Sequence, residues 1–313
     1  MAPAWNRHDT GMNISHNGLR IEFESDGDEH APAVLLGMGL GMQLTAWPTS
    51  LVQAIVQAGH RVIRFDNRDV GLSSQLEHLG APNIGWQLVR SRLGLPIRSP
   101  YSLQDMALDA VGLLDALGLQ RAHLVGVSMG GMIAQRVAAT APERVLSLTS
   151  VMSSSGAPGL PGPRPHVTRA LLKRPRSQRP EHVAAHALNM FRLIGSPAFP
   201  QDMPAFEQRV LADAVRCYKP AGVARQLLAV ASDTDRHSAL KRIVCPTLVV
   251  HGTADPLVPL ACGQDTAARI AGARFEAIEG MGHDWPPGVA ALLAGHIVPH
   301  LQAAQAHATT STT

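Results

Sequence analysis

Short apolar runs alternate with helix-periodic stretches along most of this chain, and few folds accept that rhythm. Val34-Leu35-Leu36, Val62-Ile63-Arg64-Phe65, His123-Leu124-Val125-Gly126-Val127, the run 145–151, Thr247-Leu248-Val249-Val250 and Phe275-Glu276-Ala277-Ile278 read as buried strands. Between them, Leu51, Val52, Ile55 and Val56 recur at helical spacing and Gly59 closes the helix. Ser102-Leu103-Gln104-Asp105 is a capping box that opens a helix ending at Gly118, and Pro142 stops a helix built on Met132, Ile133, Arg136 and Val137. Apolar strands separated by helices predict a parallel sheet covered on both faces, with right-handed crossovers. Ahead of it, Leu19, Ile21 and Phe23 alternate with polar residues after Asn17-Gly18, which predicts two antiparallel N-terminal strands. The expected class is α/β, with a mostly parallel eight-stranded sheet.

The rhythm breaks between about 155 and 242. A Pro/Gly linker, 156–163, leads into helical stretches near 181–193 and 203–214 with no strand pattern. The expected organisation is a core over 13–154, a helical insertion over 155–242, the rest of the core over 243–301 and a frayed tail over 302–313.

Bulk properties exclude several classes. Hydrophobic residues make up 45% of the 313, charged residues only 16%, and the net charge is +3. That is a chain with ample core and no electrostatic pointer to nucleic acid. Cys217, Cys245 and Cys262 are too few and too widely spaced for a disulfide framework or a zinc site. Residues 1–16 lack an apolar signal core, and no stretch is long enough to span a membrane. A cytoplasmic protein, monomer or homodimer, without membrane insertion is expected.

Gly126-Val127-Ser128-Met129-Gly130 matches G-x-S-x-G where an apolar strand meets a helix, the setting in which that motif exposes a nucleophilic hydroxyl. The helix start there favours negative charge. A serine needs a base at neutral pH. Of fifteen histidines, His283 stands in a Gly-rich loop, 279–283, directly after the last strand, whereas His123 lies inside a strand and His251 sits at a strand end beside the acid candidate. That acid is Asp255, in the loop after 247–250; the loop after Val151 holds no carboxylate that could compete. Ser128, Asp255 and His283 thus follow strand C-termini in the chain order this motif uses. Backbone N–H groups of Met129 and of Leu40, in Gly37-Met38-Gly39-Leu40-Gly41-Met42, are the expected oxyanion donors. The same glycine run fails as a dinucleotide fingerprint, because the third glycine falls on Met42 or Leu44.

These motifs resemble the α/β-hydrolase superfamily from about 14 to 297. Met38-Gly39, Trp47-Pro48, the segment 66–73, the Ser128 turn and Gly280-Met281-Gly282-His283 are similar to the subgroup containing aclacinomycin methylesterase. The resemblance implies an α/β-hydrolase fold, a helical cap over the site, hydrolysis of carboxylic esters and no cofactor. Many members carry His-Gly where this chain has Met38-Gly39; a backbone donor survives that change. The segment 66–73 is expected to brace the loops. Met38, Met42, Met132, Met190, Phe191 and Trp285 are candidate substrate contacts, since methionine and aromatic side chains suit an irregular apolar site. The expected substrate is a small ester with an apolar acyl or alcohol part. The same three residues would also serve lactones, thioesters or C–C bonds, and a non-catalytic ligand-binding relative is the reading from another class.

Overall fold

The computed structural model describes residues 12–16 and 18–310. Eight strands and eleven helices follow in the order β1 (Met12–His16), β2 (Leu19–Asp26), β3 (Ala33–Gly37), α1 (Thr49–Gln57), β4 (Arg61–Phe65), α2 (Ile84–Arg92), α3 (Leu103–Ala116), β5 (Ala122–Val127), α4 (Met129–Thr140), β6 (Val145–Val151), α5 (Pro165–Leu171), α6 (Pro180–Ile194), α7 (Met203–Arg216), α8 (Pro220–Ser232), α9 (Arg236–Ala239), β7 (Thr247–Gly252), α10 (Leu260–Arg269), β8 (Arg274–Ile278) and α11 (Pro287–Thr310). The strands form one sheet in the order β1-β2-β4-β3-β5-β6-β7-β8. β1 and β2 are antiparallel, as are β2 and β4, and every other pair is parallel.

Alternation along the strands builds two cores. On β3, Leu35 faces one side with Ile63, Phe65 and Leu124, under α3 and α4. Val34 and Leu36 face the other with Val62, Val125 and Val127, under α1 and α11. The two-residue period of a strand is what divides them. Gly18 adopts φ +76° in the β1–β2 turn, while its partner Asn17 lies outside the described residues. The capping box at Ser102 is formed, with both the Ser102 and Asp105 side chains engaged.

Two differences from the sequence reading have physical causes. The segment α2 gives weak periodicity because none of its residues is buried. The tail from 302 is not frayed up to Thr310: it continues α11. Its alanines favour helix, Ala304 is buried, and Gln305 accepts from the ring of the buried His123 at 3.2 Å.

The insertion's helices, α5 to α9, follow one another in the chain between β6 and β7. Ion pairs tie them to the loop after β4. Arg225 of α8 grips both oxygens of Asp69 at 2.6 and 2.7 Å, with both residues almost wholly buried. Arg216 of α7 reaches Asp66 at 2.7 Å. The end of the insertion joins the core itself: Ala229, Ala239 and Leu240 belong to the cluster under α3 and α4.

Candidate active site

Ser128 occupies the turn between β5 and α4 with φ 54° and ψ −119°. An L-residue held there costs about 1–3 kcal/mol, which the surroundings must impose. They do so through backbone. Ser128 N–H donates to the Val151 carbonyl at 2.9 Å, and its own carbonyl accepts from Ser153 Oγ at 2.8 Å and from Met132 N–H at 3.2 Å. The chain can turn this sharply because Gly126 and Gly130 carry no side chains: a Cβ on Gly126 would lie 2.2 Å from the Gly130 carbonyl oxygen. A Cβ on Gly130 would lie 2.1 Å from that of Gly37.

The second contact brings the loop after β3 against the turn. Gly39 abuts Ser128 closely enough that a Cβ there would sit 3.8 Å from the hydroxyl oxygen. The segment 66–73 braces this loop. Asn67 Nδ2 donates to the Met38 carbonyl at 3.2 Å, and Asp66 accepts from Leu44 N–H at 2.7 Å. Gln226 of α8 joins the two, accepting from Gly41 N–H at 2.9 Å and donating to the Arg68 carbonyl at 2.8 Å. Arg68 in turn holds Asp109 of α3 with two hydrogen bonds, the longer 2.7 Å. The Met129 N–H opens α4 and has no acceptor within its helix.

His283 and Asp255 are brought together: Nδ1 of the imidazole and Oδ2 of the carboxylate are 2.6 Å apart, both residues being buried. Asp255 is shaped as an acceptor, its Oδ1 taking N–H bonds from Leu257 at 2.9 Å and Val258 at 2.8 Å. These bonds fix the carboxylate so that its other oxygen faces the ring. His251 lies on the same carboxylate at 3.7 Å, but its Nε2 is engaged by the Val258 carbonyl at 2.7 Å, and burial lowers its basicity. The hydrogen bonds of the described residues do not include one from the Ser128 hydroxyl to His283.

The loop that carries His283 is sewn to the C-terminal end of α6, a connection the sequence did not announce. His283 N–H donates to the Ile194 carbonyl at 2.6 Å, and Gly282 N–H to Ser196 Oγ at 2.8 Å. Asp284 accepts from Ser196 N–H at 2.9 Å and Oγ at 2.5 Å; burial raises its pKa. The only local signal was an acid beside the histidine. Among the described residues no three His, Cys, Asp or Glu side chains gather as a metal would require.

Two cavities lie between the loop after β3 and the insertion, and Leu40 lines both. The larger, of about 410 Å³, is walled by Met190, Tyr218, Val223 and Leu227. The smaller, of about 210 Å³, includes Met42 and Phe191. Of the expected substrate contacts, Met42, Met190 and Phe191 therefore face cavities. Met38 and Met132 are packed into the two cores, and Trp285 stacks on Trp47 with ring centroids 5.1 Å apart. Those three line neither cavity.

Sheet order, crossovers and the strained serine turn define an α/β hydrolase. The chain belongs to the alpha/beta hydrolase fold family, whose model matches residues 32–285. It is similar to rhodomycin D methylesterase of Streptomyces peucetius, with 29% identity over 93% of this chain and 98% of that protein. It is 26% identical to 3-oxoadipate enol-lactonase 2 of Acinetobacter baylyi, over 85% of this chain and 87% of the relative. Among solved structures, the enol-lactonase from Burkholderia xenovorans superposes with a TM-score of 0.69 at 25% identity, covering 93% of this chain and all of that one. These relatives place the chain among hydrolytic enzymes.

Proposed function

We propose that this hydrolase cleaves carboxylic esters through an acyl-enzyme on Ser128, with α5–α8 acting as the cap. His283 takes the hydroxyl proton as Ser128 attacks the acyl carbon. The Leu40 and Met129 N–H groups hold the oxyanion. His283 then protonates the departing alcohol, activates water and releases the acid, while Asp255 keeps the ring oriented and stabilises its cation. The single observation that carries this reading is the buried His283–Asp255 hydrogen bond, set on loops at the same sheet edge as the strained Ser128. Substrate closing the site is expected to bring the hydroxyl onto Nε2, since such contacts often tighten only in the complex.

Apolar cavities beside Leu40 support an ester with an apolar acyl or alcohol part. The methylesterase relative acts on a methyl ester by its name, which favours the ester reading. The enol-lactonase relatives favour a second: a cyclic ester would pass through the same steps with its leaving group still tethered. The three cysteines are unpaired, which fits a reducing compartment.

The test is Ser128→Ala. Turnover of a nitrophenyl ester should vanish, as should labelling by a fluorophosphonate probe, with the unfolding midpoint retained. Undiminished hydrolysis by a folded Ser128→Ala protein rejects the assignment.

A further inference from the structure

Helix α2 has no packing reason to be a helix in water. It is nine residues long and none of its residues is buried. Helices that short are marginal alone and normally depend on an apolar face buried against something. Here the apolar residues point outward. Trp86, Leu88, Val89, Leu93 and Leu95 are five of the fourteen exposed large hydrophobic residues among those described, crowded into ten positions. Trp86 is 55% and Leu93 67% exposed. A concentration of this kind marks an interaction surface rather than ordinary scatter.

Charge narrows the partner. From 78 to 104 the chain has no Asp or Glu, but it has Arg90, Arg92 and Arg98. From 145 to 180 it again has none, but it has Arg164, Arg169, Lys173, Arg174, Arg176 and Arg179. The two stretches border the same cavity: Ala81, Pro82 and Ile84 of the first and Leu172, Lys173 and Arg174 of the second line the larger one. Leu172 is itself exposed. Arg92, Arg98, Lys173 and Arg174 form no salt bridge among the described residues. A second copy docked here about a two-fold axis would set these cations against one another. Tryptophan and leucine rimmed by unpaired arginine and lysine is the chemistry that settles at the boundary of an anionic bilayer.

We propose that α2 and the facing residues 169–176 dock on an anionic lipid surface, turning the mouth of the larger cavity toward it. The chain would lie on the surface, not cross it, since no helix among the described residues is long and apolar enough to span a membrane. An amphiphilic substrate could then pass from the lipid into the cavity without crossing water. The docking itself does not depend on the esterase reading and is tested apart from it.

The full-length protein is sedimented with vesicles of phosphatidylcholine alone or mixed with phosphatidylglycerol. Binding is expected to the mixed vesicles only, and to be lost at high salt. Arg92→Glu with Arg98→Glu should weaken it about tenfold or more, as each cation near such a surface contributes severalfold. Trp86→Ser with Leu93→Ser should abolish it. Because these side chains are exposed, the unfolding midpoint should hold in both pairs. Absence of binding, equal binding to both vesicle types, or binding unaffected by either pair overturns the proposal. So does a concentration-dependent dimer, seen by light scattering, that the Trp86→Ser, Leu93→Ser pair dissolves: that outcome assigns the face to a second copy.

Discussion

Replacing Gly130 with alanine puts one methyl group where two backbones touch. That Cβ would lie 2.1 Å from the Gly37 carbonyl oxygen, 2.5 Å from its carbonyl carbon and 2.7 Å from the Met38 oxygen. Ordinary contact begins at 3.4 Å, so the approach is short by about 1.3 Å against rigid backbone. No rotamer change relieves it. The loop that carries Leu40 must move away from the Ser128 turn by about an ångström, or α4 must tilt. Overpacking of this size costs about 1–3 kcal/mol of stability. On the proposed mechanism the larger effect falls on catalysis, because displacing the loop takes the Leu40 N–H from the oxyanion position and a tilt of α4 would shift Ser128 as well. Losing one such donor costs about 10²–10³ in kcat. The assay is steady-state hydrolysis of a nitrophenyl ester alongside thermal unfolding. A Gly130→Ala protein with kcat within about twofold of the parent would show that the loop does not supply a catalytic donor.

Asp255→Asn should keep the fold and lower kcat by about 10⁴, since the amide can present the wrong partner to Nδ1; a drop under tenfold would remove Asp255 from the mechanism. Arg225→Met strands the buried Asp69 and should cost about 3–5 kcal/mol, read as a fall of roughly 5–8 °C in Tm for a chain of this size. Adding Asp69→Asn, which tolerates the φ of 69° found there, should return much of that loss, and failure to do so would refute the charge argument. Burial holds the His123 ring down to about 4. The unfolded chain takes that proton near 6.5, so between pH 6.5 and 4 it binds more protons than the folded one and stability falls on acidification. The full effect is about 3 kcal/mol, with His60, His251 and His300 shifted in the same direction. Urea midpoints across that window that stay level after allowing for the carboxylates would contradict it.

Much of the site was legible in the sequence because its signals are local. A strand running into G-x-S-x-G, a Gly-rich loop ending in His283 and an acid just past Val250 each depend on residues a few positions apart. The mostly parallel sheet and its two antiparallel N-terminal strands followed from alternation, whereas the strand order came only from the structure. Helix α2 was not legible, since with no buried face it has no periodicity to read. Neither was the attachment of the His283 loop to α6, because Ser196 and Asp284 stand 88 positions apart and nothing in either neighbourhood names the other.

By itself the sequence determined which strands are buried, where the chain turns, and which three side chains could reach one sheet edge, because propensity, period and turn chemistry are properties of neighbours. Only tertiary structure decided which methionines line cavities and which fill cores. It also decided that Gln226 and Asn67 hold the loop beside Ser128, and that Arg225 closes on Asp69 across 156 positions. Those outcomes depend on backbones meeting in space, where a single missing Cβ or one buried charge determines the fit.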